Sequence, residues 1–295
     1  MYIKDSETAH FFGISPWEAW ESLEGFSRKL IHIPHQEKGI ILLWKERTLY
    51  DYTLQSIYDF YRQVGSDILM ILCSSLTAAR WSGERRWINT QQHNANFNVN
   101  ICVAASREVS HQIWNLQERI AVAIAKTLSE IKPDNQIQIA YPFHYLMDGS
   151  KVAGHLVQKI QLDQNFDFLR IGIGTNTATL PPWLPKNDHL AQYLFSRAHS
   201  LDISDDRWIP LAKQYWKNIQ IALQWDTSHR EYLEYLSMRK WDTIEVYEDN
   251  GTTQFGTLIS RGIFDTLNSD GSITIDSNVL ANREYHIRII PNLEK

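Results

Sequence analysis

Residues 137–176 limit the possible folds more than any other part of the sequence. An Asp148-Gly149 pair separates two apolar runs, and a later run ends in Gly-Ile-Gly-Thr-Asn. Asp-Gly between such runs is a strong signal for a tight β-hairpin. We therefore predict that residues 145–147 pair with residues 151–160, and that the Gly-Ile-Gly-Thr-Asn run is a further strand.

The stretch after the turn fits two periodicities. Val152 and Leu156 are four residues apart, as on one face of a helix, but with Gly154 they also fit the alternation of a strand. The flanking turns favour the strand. Lys151 then projects from the start of this strand, and Gly154 allows a ligand or another backbone to approach closely.

The last strand of the segment alternates isoleucine and glycine. Ile171 and Ile173 occupy one face, which leaves the face of Gly172 and Gly174 without side chains. A bound planar ligand requires such a bare face. Two readings stay open from the residues alone: a pocket beside Lys151, or a solvated hairpin lysine with glycines that relieve crowding.

The order and spacing of these motifs resemble those of the biotin protein ligase family. In that family a KWPND strand is followed by a hairpin with gKxaGiLve and by a strand that ends in GIGiN. Lys151 and Gly154 fall on the second motif, and Gly174 and Asn176 on the third. The first motif is eroded, because His144 stands where the family has the aspartate.

Two earlier stretches extend the resemblance. The family's DSTN motif, which lines the head group of the vitamin, is represented by Asp-Tyr-Thr-Leu, so Thr53 is the predicted vitamin contact. The family's GRGRRGRxW loop is represented by residues 80–87, RWSGERRW. Its matching residues are Arg80, Arg85, Arg86 and Trp87.

The arginine-rich stretch also has a reading from chemistry alone. Guanidinium groups beside a glycine suit a phosphate, because arginine presents forked donors and stays charged. The same composition fits a solvated turn. The resemblance implies that Arg80, Arg85 and Arg86 neutralise the phosphates of ATP.

Composition restricts the partners. The chain has 295 residues with 43% hydrophobic and 21% charged residues and a net charge of −5, typical of a globular protein without nucleic-acid affinity. No stretch approaches the roughly 18 uninterrupted apolar residues of a membrane helix. Two distant cysteines indicate neither zinc nor disulfides, and Cys102 is expected to be a small buried residue. The predicted location is the cytoplasm.

The predicted fold is α/β (α+β), like class II aminoacyl-tRNA synthetases, with a mixed, mostly antiparallel sheet backed by helices. Alternation predicts a strand over 96–104, with Asn98 and Asn100 presented on one face, and periodicity predicts helices over 111–131 and 205–223. The resemblance divides the chain into an N-terminal helical extension (1–32), a catalytic domain (33–238) and an SH3-like barrel (239–295). Strands expected in the barrel include 254–262, and Asp270-Gly271 is an expected turn.

The resemblance implies an ATP-dependent biotin protein ligase that forms biotinyl-5′-AMP with Mg²⁺ and transfers biotin to a lysine of a carboxylase carrier domain. Lys151 would hold the carboxylate and the adenylate phosphate, and Asn176 would contact the nucleotide. The altered residues, Phe143 among them, keep two alternatives open: a ligase for lipoate or another carboxylate, and a non-catalytic binding protein. Family members often pair through the sheet edge, which permits a homodimer, and the predicted absence of a DNA-binding domain excludes a repressor.

Overall fold

A computed structural model describes residues 30–32, 39–44, 69–75, 96–110, 113–161, 164, 166–177, 200–204, 207–224, 229–248, 256–281 and 285–290. The strands are β1 Leu30–His32, β2 Gly39–Trp44, β3 Leu69–Ser75, β4 Asn96–Ser106, β5 Ile137–Ala140, β6 His144–Met147, β7 Ser150–Gln161, β8 Phe166–Asn176, β9 Thr243–Glu248, β10 Leu258–Leu267, β11 Ile273–Ile275, β12 Asn278–Leu280 and β13 Tyr285–Ile290. The helices are α1 Arg107–Ser110, α2 Ile113–Ile131, α3 Trp208–Gln224 and α4 His229–Tyr235.

The larger sheet has eight strands in the order β1-β2-β3-β4-β8-β7-β6-β5. Among its described strands, only β2 and β3 run parallel; the other neighbours are antiparallel. The expected mixed, mostly antiparallel sheet is therefore confirmed. Strand β3 was not predicted from the sequence, because the residues on either side of this apolar run carry no hairpin signal.

The two faces of β4 and β8 differ because side chains alternate along a strand. Phe97, Val99 and Ile101 have no exposed surface and lie on the face that α2 and α3 cover. On β8, Ile171 and Ile173 belong to the same buried face. The glycines of β8 and the asparagines of β4 consequently share the other face.

The Asp148-Gly149 hairpin forms as predicted, and it joins β6 to β7. Both turn residues have positive φ, 51° and 77°, as a two-residue type I′ turn requires. The Asp148 carboxylate accepts a hydrogen bond from the backbone N–H of Gln136 at 2.9 Å. This bond ties the turn to the start of β5.

The smaller sheet contains β12, β11, β10, β9 and β13 in that order, all antiparallel. The Asp270-Gly271 turn joins β10 to β11 as expected, and Gly271 has a φ of 82°. The strand predicted over 254–262 instead spans Leu258–Leu267, because its first half pairs with β9 and its second half with β11. A second turn, at Asp276 and Ser277, was not predicted from the sequence because it contains no glycine.

Barrel closure stays a prediction, because the described strands form a row in which β12 and β13 are not paired. The proposed domain boundaries likewise stay predictions.

His229 links the helices to the smaller sheet. Its Nε2–H donates to the carbonyl oxygen of Leu267 at 2.9 Å, and its Nδ1 lies 2.9 Å from the Glu118 carboxylate on α2. Trp114 also donates to Glu118, and burial raises the pKa of this carboxyl. A carbonyl oxygen only accepts, so the imidazole Nε2 carries a hydrogen.

One edge of the larger sheet is covered within the chain. Leu236 forms a parallel bridge with Ile139 of β5, and Ser237 N–H donates to the Ile139 carbonyl at 2.8 Å. None of the described helices is long and apolar enough to cross a membrane.

Candidate active site

A β-bulge places Lys151. Tyr145 pairs with Ala153, but Leu146 pairs with Lys151, so Val152 is an extra residue in β7. Val152 and Ala153 both have no exposed surface and pack in the core, and the extra residue returns Lys151 to the face of Gly154. Bulges often aim a side chain in this way beside functional sites.

The bulge corrects two interpretations made from the sequence. The alternation that put Val152 on the same face as Gly154 is wrong, because the extra residue shifts the register. The solvated hairpin lysine is also wrong, because Lys151 is only 7% exposed. Lysine is almost never buried unless its charge is paired, so the burial of Lys151 is an unusual feature of this face.

Two glycines lie side by side next to this lysine. Gly154 of β7 is directly opposite Gly174 of β8, and Gly174 is directly opposite Asn98 of β4. The predicted bare strip therefore spans two adjacent strands. Without Cβ atoms in this row, a ligand can lie against the backbone.

Asn176 joins the lysine to the glycine strip. Its side chain is 4% exposed, and Nδ2 donates to the Lys151 carbonyl at 3.1 Å. Lys151, Gly154, Gly174 and Asn176 therefore lie close together on the adjacent strands β7 and β8. Their roles toward a ligand stay predictions.

A feature that the sequence reading missed is the register partner of Asn176. Position 96, also asparagine, lies directly opposite it across β4 and β8. The asparagine at position 96 is visible in the alternating run of β4. Only the pairing of β4 with β8 shows that positions 96 and 176 lie opposite each other.

Helix α3 supports the back of the site. The hydroxyls of Thr175 and Tyr215 are 3.0 Å apart, and both side chains are fully buried. The rings of Phe97 and Trp208 stack with a centroid distance of 4.8 Å. Both contacts involve residues that neighbour Gly174, Asn176 or Asn98 in sequence, so the helix fixes the strands that carry the site.

His144 lies on the site face, directly opposite Gly154, and is half-buried. Its neighbour Phe143 is instead a core residue, with ring centroids 5.2 Å from Trp114 and 4.8 Å from His155. Phe143 therefore packs in the core, and its contribution to an altered pocket stays a prediction. Its aromatic ring packs in the core against His155 of β7.

His155 is the buried histidine of this region. Its Nδ1 lies 2.6 Å from the Tyr145 hydroxyl, and burial keeps that hydroxyl neutral by raising its pKa far above the usual value. The hydroxyl therefore donates to Nδ1, which places the imidazole hydrogen on Nε2. Nε2 has no hydrogen-bond acceptor among the residues that the structure describes.

We expect His155 to make stability sensitive to acid. Burial lowers its pKa from 6.5 to about 3, so below pH 6.5 the unfolded chain binds a proton that the folded chain excludes. Stability should therefore fall as the pH drops from 6.5 toward 3, by about 2 kcal/mol at pH 5. Urea unfolding near pH 7.5 and pH 5 measures the loss.

The matched control is the double variant Tyr145→Phe/His155→Leu, which removes both partners of the hydrogen bond. Its loss of stability between the two pH values should be smaller than that of the wild type by this amount. Equal losses in the two proteins would contradict a buried neutral imidazole.

The remaining predicted site residues lie outside the described residues: Thr53, Arg80, Arg85, Arg86 and Trp87. The phosphate and vitamin contacts assigned to them stay predictions. Within the described ranges, no three His, Cys, Asp or Glu side chains are grouped as a metal site would require. Cys102 is buried as expected, and burial raises the pKa of its thiol to about 12.

In sequence comparisons, no protein-family model and no curated protein matches the chain. Comparison of folds gives matches. The biotin protein ligase of Aquifex aeolicus, solved with biotin and ATP, superposes with a TM-score of 0.53 at 15% identity, covering 75% of this chain and 89% of that one.

Two further structures match over similar lengths. The biotin protein ligase of Leishmania major in complex with biotinyl-5-AMP has a TM-score of 0.50 at 16% identity and covers 81% of this chain and 96% of that one. A biotin protein ligase-like protein of unknown function from Silicibacter has a TM-score of 0.50 at 11% identity, with 85% and 95% covered. The chain therefore has the fold of the biotin protein ligases.

Proposed function

We propose that the protein is an ATP-dependent biotin protein ligase, a divergent member of that family, which forms biotinyl-5′-AMP and transfers biotin to a lysine of a carboxylase carrier domain. The observation that carries the proposal is the burial of Lys151 by a bulge, next to the Gly154–Gly174 strip. Structures of this fold bind biotin with ATP in Aquifex and biotinyl-5-AMP in Leishmania.

The first step joins the acid to the nucleotide. A carboxylate oxygen attacks the α-phosphorus of ATP, the bond to the β-phosphate oxygen breaks, and pyrophosphate leaves with that electron pair. The protein needs no nucleophile for this step, so its contribution is orientation and stabilisation of charge on oxygen. Lys151 would hold the carboxylate and the α-phosphate, and the glycine strip lets the ligand lie against the sheet.

The second step releases AMP. The neutral amine of the acceptor lysine attacks the acyl carbonyl carbon, the acyl–phosphate bond breaks, and AMP leaves as the amide forms and the amine loses its proton. Asn176 would contact the nucleotide at this end of β8. Arg80, Arg85 and Arg86 would neutralise the phosphates, Trp87 would lie over the adenylate, and Thr53 would contact the vitamin.

Magnesium is implied by the use of ATP. The described residues around the glycine strip offer lysine, histidine and amides but no carboxylate, which is the protein ligand that Mg²⁺ prefers. These described residues do not form a magnesium site.

Pyrophosphate exchange with ATP and magnesium tests the proposal, with biotin, lipoate and octanoate as separate acids and Lys151→Ala as the blank. Exchange with biotin that the blank lacks is the expected result. Exchange only with lipoate or octanoate would move the function to another carboxylate. No exchange with any acid would leave a non-catalytic binding protein, and biotin titration calorimetry would then identify binding without turnover.

Transfer requires a separate test, because exchange reports the first step alone. We expect an isolated biotin carrier domain to gain one biotin when incubated with the protein, ATP and biotin, as read by intact mass. A homodimer formed through the sheet stays a prediction for sedimentation measurements.

A further inference from the structure

A three-residue loop leads into one end of the glycine row. The loop, residues 141–143, joins β5 to β6, and His144 follows it directly. His144 is opposite Gly154, and Gly154 is opposite Gly174, so these three residues form one row across β6, β7 and β8. The conformation of the loop therefore decides where His144 lies beside the glycine strip.

Hydrogen bonds fix two consecutive carbonyl groups of this loop. The hydroxyl of Tyr232 on α4 donates to the Pro142 carbonyl oxygen at 2.8 Å. The backbone N–H of His155 on β7 donates to the Phe143 carbonyl oxygen at 3.2 Å. These carbonyls belong to the two peptide groups immediately before His144, so the two bonds orient the peptide planes that lead into it.

The Tyr232 hydroxyl acts as a donor. Its side chain has no exposed surface, and burial raises the pKa of the hydroxyl well above its usual value, so the oxygen keeps its hydrogen. The O–H group of a buried tyrosine usually needs a hydrogen-bond partner. Here that partner is a backbone carbonyl of the loop beside the site, so the hydroxyl links α4 to the site.

Helix α4 is itself anchored at both ends. At its first residue, His229 Nε2–H donates to the Leu267 carbonyl of β10 at 2.9 Å. Just beyond its last residue, Ser237 N–H donates to the Ile139 carbonyl of β5 at 2.8 Å. Tyr232 lies between these two anchors, so its hydroxyl approaches the loop from a fixed position.

We propose that Tyr232 is a positioning residue of the active site, whose hydroxyl holds the loop 141–143 so that His144 lies in the glycine row before a ligand binds. Without this bond the loop adopts several conformations, and a ligand binds tightly only to the correct one. The apparent affinity then falls in proportion to the fraction of molecules with the correct loop. This inference rests on the proposed function for the reaction, and it adds a residue that lies outside the sequence motifs of the site.

The first test examines the loop without any ligand. Labelling the histidines with ¹⁵N gives 11 amide signals, among them those of His144 and His155. In Tyr232→Phe the His155 amide should exchange its hydrogen roughly fivefold faster than in the wild type, as the loss of one ordinary hydrogen bond from the loop allows. The His144 amide signal should shift.

The matched control is Tyr285→Phe. Tyr285 is 5% exposed, and its hydroxyl also donates to a backbone carbonyl, that of Ala281 at 2.9 Å, but within the smaller sheet. This variant should leave both histidine amides as in the wild type. Urea unfolding shows whether the variants fold, and Tyr232→Leu is a second variant without the hydroxyl.

The second test uses pyrophosphate exchange to separate positioning from stability. In Tyr232→Phe the KM for biotin, or for whichever of lipoate and octanoate supports exchange, should rise roughly fivefold, with kcat within about twofold of the wild type. A loss of stability alone would reduce the amount of folded enzyme. It would lower the apparent kcat and leave KM unchanged.

The inference is overturned if a folded Tyr232→Phe keeps the wild-type exchange of the His155 amide and the wild-type His144 signal, or if Tyr285→Phe changes them equally. It is also overturned if the loop changes but KM does not. A wild type without pyrophosphate exchange for any acid would reject the proposed function. The amide measurements would then still decide whether Tyr232 holds the loop.

Discussion

Replacing Lys151 by methionine should lower biotin-dependent pyrophosphate exchange by about 10²–10³-fold, the cost of removing one donor aimed at developing negative charge. The side chain is 7% exposed and lies on the face of the glycine strip, so no other lysine of β7 can substitute for it. Methionine keeps the length and most of the volume. The loss should therefore come from the missing amino group and not from a cavity.

The control is Lys217→Met, on the exposed side of α3. This change should leave exchange at the wild-type level, and urea unfolding should show that both variants fold. A folded Lys151→Met protein that retains most of the exchange activity would remove the main support for the ligase proposal.

The hairpin around Asp148-Gly149 was predictable because its signal is local. Two residues determine the turn, and the apolar runs beside it determine which strands pair. The same holds for the helix Ile113–Ile131, whose apolar stripe repeats at the helical period, and for the alternating strand β4. Each of these elements is specified by residues close together in the sequence.

The bulge at Val152 was not predictable in the same way. Its residues fit strict alternation, and only pairing with β6 shows that one of them is extra. The alternation placed Lys151 and Gly154 on opposite faces, so it separated two residues that the structure brings together. The register, set by long-range pairing, decides the geometry of the site.

The hydrogen-bond partner of Arg170 could not be predicted from the sequence either. An arginine within the apolar run Phe-Leu-Arg-Ile is an unusual residue for a buried strand, and that was the available signal. Its partner, Asn100, is 70 residues away in the sequence. The predicted face of amides on β4 was correct, but its hydrogen-bond partner is a neighbour that alternation cannot identify.

Replacing Trp208 by alanine should lower the free energy of unfolding by about 3–5 kcal/mol, as expected for the loss of a large buried aromatic side chain. Trp208 is 1% exposed and stacks on Phe97, which lies between positions 96 and 98 of β4. The cavity would open behind the strand that carries Asn98. Urea unfolding measures the change in stability.

The variant Trp208→Phe separates the contribution of aromatic packing to stability from that of the indole N–H group. The indole Nε1 has no acceptor among the described residues, so phenylalanine removes an unsatisfied donor and keeps an aromatic ring against Phe97. We expect this variant to lose less than about 1.5 kcal/mol. If phenylalanine destabilised the protein as much as alanine, the indole N–H would have a partner that the stacking argument omits. If the alanine variant kept wild-type stability, α3 would not be what holds β4 in place.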